Sequence, residues 1–152
     1  MNRQRSVRLS TRALESFSLR VRRELDLKQA QVTVCLVSDA EIAGMNQSFR
    51  KKRGPTDVLS FPAVKLQQPR RSKRFPVSSS RDSLHGDASL GDIAIAPAVA
   101  KRNAKNYGRT LPAELKILIL HGLLHLLGFD HEADRGEMDR TEKKLRKRLG
   151  LA

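Results

Sequence analysis

Three of the four histidines in the chain lie inside one short stretch, HGLLHLLGFDH, running from His121 to His131. His121 and His125 are four residues apart. On a helix, both rings then leave the same face one turn apart, at a separation that one metal ion can bridge. Gly128, three residues further on, lets the chain leave the helix in a left-handed conformation, so that His131 can fold back as a third nitrogen ligand. Three protein ligands leave the fourth position of zinc open, as in catalytic sites, and zinc held this way lowers the pKa of a bound water to about 7. The competing account is three histidines hydrogen-bonded in a core. In a chain with so few histidines this spacing favours a shared metal.

The neighbours of the histidines narrow the chemistry. Gly122 follows His121, where zinc peptidases carry a glutamate as general base, so the protease helix pattern is absent. Two other carboxylates are candidates for orienting an imidazole. Glu114 lies seven residues before His121, two turns away on the same helical face, and is also a candidate base; Asp130 directly precedes His131. A favourable charge at the helix start explains Glu114 equally well, and a turn residue explains Asp130.

These residues need elements to hold them. Ser10 to about Leu27 carries Leu14, Phe17, Leu19, Val21 and Leu25 at loose helical spacing among arginines. QVTVCLV at 31–37 reads as a strand, and Ser38 with Glu41 forms a capping box that starts a helix ending near Phe49. After RKKR at 50–53, TDVLSFP at 56–62 reads as a second strand whose Pro62 assigns it to a rim or edge. Residues 63–88 are rich in Pro, Ser and Arg and are expected to form a long mobile loop. SLGDIAIAP at 89–97 is a third strand, followed by a helix from Ala98 to about Tyr107. Thr110 and Pro112 open a helix so apolar from Leu115 to Leu127 that both its sides must be covered, and a last helix is expected to open at Asp134. The pattern predicts an α+β fold: a small mixed sheet of about four strands packed with helices, and a central buried zinc-binding helix. One domain over 1–152 with a basic loop is the economical organisation.

With 39% hydrophobic residues, 4% aromatic and no Trp, the core must be aliphatic. The 30 Lys and Arg against 16 Asp and Glu give a net charge of +14, which attracts polyanions, nucleic acid ahead of an anionic membrane surface. Cys35 is the single cysteine, which excludes an intrachain disulfide framework and a Cys-rich zinc module, and is expected to be a buried core thiol. No apolar stretch reaches membrane-spanning length and the basic N-terminus has no apolar signal core, so a cytoplasmic location without membrane association is expected.

HGLLHLLGFDH, together with TDVLSFP and LGDIAIAP in that order, resembles the YbeY family, the zinc-dependent bacterial endoribonucleases of ribosomal RNA maturation. The resemblance covers roughly residues 31–148, and the loop at 63–88 is longer and more basic than the family pattern. It implies that His121, His125 and His131 are ligands of one zinc ion. It also places Arg50, in NQSFRKKRGPTDVLSF, at the family's functionally important arginine. The implied activity is single-strand-specific RNA cleavage in 16S rRNA 3′-end maturation and ribosome quality control. The implied partners are rRNA and the small ribosomal subunit with its assembly factors.

Cleaving a phosphodiester requires stabilising charge on the phosphate and activating a nucleophile, for which zinc and a bidentate arginine are suited. Arg50 fits that clamp; the plainer account is a solvated member of a basic run with Lys51, Lys52 and Arg53. Attack by water and attack by the RNA 2′-hydroxyl both remain open. Lys51, Lys52 and Arg53, with Arg70, Arg71, Lys73, Arg74 and Arg81 in the loop, are candidate contacts to the RNA backbone. With only Phe49, Phe61, Phe75 and Tyr107 as plausible exposed aromatics, intrinsic reading of base sequence is expected to be poor. The rivals are a zinc metallopeptidase and a non-enzymatic ribosome-assembly protein with a structural zinc.

Overall fold

The computed structural model describes residues 1–63 and 89–151. Its elements are α1 (Thr11–Glu24), β1 (Gln31–Leu36), α2 (Asp39–Arg50), β2 (Val58–Pro62), β3 (Ser89–Ile95), α3 (Pro97–Asn106), α4 (Leu111–Leu126) and α5 (Glu137–Leu149). Local chemistry explains the starts of the helices. Ser38 Oγ accepts from Glu41 N at 3.2 Å and Thr110 Oγ1 from Ala113 N at 3.3 Å, satisfying amides that the first turn leaves free. The last helix opens later than Asp134. The Asp134 carboxylate takes the N–H groups of Gly136 and Met138, each at 2.7 Å, so residues 134–136 form a turn before α5.

The sheet is mixed, in the order β1-β3-β2, with β1 parallel and β2 antiparallel to β3. Pro62 accordingly closes an edge strand. The described residues form three strands, against the expected four or so. Residues 1–3 run along the free edge of β1, with Arg3 N on Leu36 O and Leu36 N on Met1 O, both at 2.8 Å, but this is a single bridge too short to count as a strand. Apart from Ala63, the 63–88 loop lies outside the described residues.

Side chains alternate across β3. Ile93 and Ile95 join the larger aliphatic core with α1, α4 and α5, whereas Ala94 faces the smaller cluster built on Val37, Ile42, Leu59 and Val99. Cys35 is half-buried at the margin of that smaller cluster rather than deep in a core. Leu19 of α1 faces outward at 46% exposure, off the buried stripe of Leu14, Phe17 and Val21. α4 packs against β2, β3, α1, α3 and α5 together, which is why it is apolar on nearly every side.

Gly122 determines how closely α4 approaches the sheet. A Cβ there would lie 2.8 Å from Ile93 Cγ2, a branched, stiff side chain that cannot swing aside. The sequence position that excludes a protease glutamate is therefore one with no room for any side chain. Gly122→Ala should lower stability by about 1–3 kcal/mol through overpacking, read as a lower urea midpoint. An unchanged midpoint would show that the helix has slack here.

Candidate metal centre

The C-terminal turn of α4 carries His121 and His125 out of the core on one face. The helix then ends in a Schellman motif: Phe129 N donates to Leu124 O at 3.1 Å, Gly128 N to His125 O at 3.0 Å, and Gly128 has φ +93°. Asp130 builds the next turn, its Oδ1 accepting from Glu132 N at 3.0 Å. This turn returns His131 to the helix face. One ligand nitrogen from each of the three rings lies within 4.8 Å of the others, and the Nε2 atoms of His121 and His125 are 3.1 Å apart. Two nitrogens bound tetrahedrally to zinc stand about 3.3 Å apart, so the His121–His125 pair is already at ligand spacing and the three rings together could hold a metal ion. His121 and His125 are half-buried and His131 is exposed, so the cluster opens on the side of its third member.

Glu142 was not singled out by sequence reasoning, yet it organises the cluster. It comes from α5, is 7% exposed, and its Oε2 accepts from His121 Nδ1 at 2.7 Å while Oε1 receives Arg146. Burial would raise the Glu142 carboxyl pKa, but the hydrogen bond from His121 and the charges of His121 and Arg146 outweigh it and hold the group below its usual range. An ionised carboxylate only accepts, so in the neutral form of His121 the proton sits on Nδ1 and the Nε2 lone pair faces the other rings. His125 is pushed down from the ordinary 6.5 to about 4, first by burial and then by the charges of His121 and His131. It is neutral, and able to ligate, at pH 7.

Arg50 ends α2 beside this cluster. Its Nη2 lies 3.5 Å and Lys52 Nζ 3.7 Å from the same oxygen of Glu132, the residue after His131. Buried Asn46 shapes the segment: its Nδ2 donates to Gly54 O at 3.0 Å, and its backbone carbonyl accepts from Lys51 N, whose residue adopts the left-handed φ of 56°, and from Lys52 N. Lys51 and Arg53 are exposed in the same loop. β2 is fastened to the cluster by Ser60 Oγ, which donates to Gly122 O at 3.1 Å. Glu114 is placed elsewhere. It is 3% exposed, its carboxylate is on Arg109 at 2.9 Å, and two helical turns put it about 10 Å along the axis from His121. The position it was expected to fill beside an imidazole is taken by Glu142. Arg70, Arg71, Lys73, Arg74 and Arg81 lie outside the described residues.

A family model described as Endoribonuclease YbeY matches residues 1–150. The chain belongs to this family. The YbeY endoribonuclease of Solibacter usitatus is 40% identical over 139 residues, covering 91% of this chain and 79% of that protein. That of Koribacter versatilis is 40% identical over 143 residues, covering 94% and 80%. A solution structure of a Thermotoga maritima protein matches with a TM-score of 0.59 at 28% identity, over 98% of this chain and 89% of that one. Membership of the YbeY family thus extends to α1 and the residues before it, beyond the stretch whose motifs resembled it.

Two outcomes follow for this YbeY chain. Glu142→Gln should weaken metal binding about ten- to hundredfold, measured by competition with a chelator, with the metal-free melting temperature recorded alongside to separate affinity from stability. Unchanged affinity would remove Glu142 from the site. For the metal-free protein, His125 has a folded pKa near 4 and an ordinary one of 6.5, so the unfolded chain takes the proton first. Its contribution to stability is complete above about 6.5 and is lost as pH falls from there toward 4. Urea midpoints should decline over that window, and less steeply in His125→Gln.

Proposed function

We propose that the chain is a zinc-dependent endoribonuclease, specific for single strands, acting in 16S rRNA 3′-end maturation and ribosome quality control. We read residues 1–152 as one domain working in the cytoplasm on rRNA in the small ribosomal subunit, alongside its assembly factors. The observation that carries this is the meeting of three histidine nitrogens within 4.8 Å, beside Arg50, in a chain that belongs to the YbeY family. When bound, zinc polarises a phosphate oxygen and activates a water.

The chain's own groups prepare the site. His125 offers its lone pair at neutral pH because burial keeps its proton off, and Glu142 holds His121 in the tautomer that points Nε2 inward. Arg50, with a side chain 40% exposed, is held among the described residues by a long surface ion pair to Glu132. Such a pair contributes little, so an incoming phosphate can take the guanidinium in a bidentate contact. Lys52, on the same carboxylate, is a second cation for the backbone. The net charge of +14 draws the polyanion in.

The packing of Gly122 on Ile93 counts against a peptidase, because the position beside the first ligand has neither a carboxylate nor space for one. Exposure of His131 counts against a purely structural zinc, which is normally closed by a fourth protein ligand.

The test is cleavage of single- and double-stranded RNA by pure protein with and without chelator. Single strands should be cut, chelation should stop it, and zinc should restore it. Arg50→Ala should lower kcat about a hundredfold with metal content unchanged. Cleavage at the parental rate by metal-free His121→Ala would overturn the proposal.

A further inference from the structure

Phe49 is a phenylalanine 69% exposed to water, on the last turn of α2 immediately before Arg50. Its ring is not loose. It stands edge-to-face against Phe61 of β2, with centroids 4.8 Å apart and planes at 67°, and Phe61 is itself packed on the smaller core cluster. The pair fixes the orientation of Phe49 while leaving most of its surface open, an arrangement with a standing cost in exposed apolar area. Around it the chain is cationic: Arg50, Lys51, Lys52 and Arg53 follow directly, with Arg50 and Lys52 reaching to the residue after His131.

An exposed, braced aromatic ring beside a row of cations matches the two chemistries of a single-stranded nucleic acid, flat bases and phosphates. We propose that Phe49 is a stacking platform for a nucleobase of single-stranded RNA, next to the phosphate held by Arg50. The proposal rests on the endoribonuclease reading and deepens it. Phe49 and Arg50 are consecutive at the end of α2, so a strand with a base on one is brought close to the other. The charge around the ring favours this occupant over an apolar peptide. The platform also supplies a physical basis for strand selectivity: a duplex keeps its bases stacked on each other, whereas a single strand can turn one out onto the ring. Every base has a π-face, so the platform would select unpaired nucleotides without reading which base is present.

The chain has no tryptophan, so Phe49→Trp introduces a single fluorescent reporter at the platform. The full-length variant is titrated with a short 2′-O-methyl oligoadenylate and, separately, with an abasic ribose-phosphate oligomer of equal charge. The oligoadenylate should quench Trp emission and the abasic oligomer should not. Phe49→Ala should bind the oligoadenylate about tenfold more weakly than the parent, yet bind the abasic oligomer equally well. Emission unchanged at saturation, or equal affinity of Phe49→Ala and parent for the oligoadenylate, overturns the platform. If these binding differences hold while the parent cuts no RNA, the platform stands and the nuclease reading falls.

Discussion

The hydrogen bond between His121 Nδ1 and the buried Glu142 carboxylate joins the two helices on which the centre depends. A carboxylate with so little exposure must be matched by partners, and here the partners are a histidine on α4 and Arg146 one turn along its own helix. Removing either would leave the buried carboxylate with one partner fewer. The same contact specifies the His121 tautomer, aims Nε2 at the other two rings and fastens α5, so packing and ligand geometry are set by one interaction.

Around it, α4 combines two roles that normally conflict. Leu118, Ile119, Leu123, Leu124 and Leu126 fill the aliphatic core, while His121 and His125 leave by a half-buried face. The absence of a Cβ at Gly122 lets the helix lie close on Ile93, and Ser60 reaches the Gly122 carbonyl from the edge strand. Gly128 and the Asp130 turn then bring His131 back. The Arg50 segment differs in character: an exposed helix end and loop tied down by Asn46 and a surface ion pair.

The local parts of this design were readable in the amino-acid order. Helical spacing put His121 and His125 on one face, Gly128 marked the helix end, and Ser38 and Thr110 marked helix starts, because each depends on residues within one turn of each other. Glu142 was not readable. It is 21 residues from His121, on a basic helix where an acid looks like surface charge, and only the packing of α5 on α4 brings it inward. Glu114 misled for a related reason: the correct helical face is insufficient when the distance is two turns and Arg109 is nearer. The expected count of about four strands exceeded the three stretches that alternation and β-branched residues marked at 31–37, 56–62 and 89–97. Those three are the strands the described residues form, residues 1–3 adding only a single bridge at the edge of β1.

The central claim is that the three histidines hold one ion with His121 braced by Glu142. Anomalous diffraction at the zinc absorption edge, from crystals of the zinc-loaded protein, tests it directly. The expected map has one peak per chain, among His121, His125 and His131, with His121 Nδ1 still on Glu142. A peak elsewhere, or none at these rings in protein shown to contain stoichiometric zinc, would contradict the account.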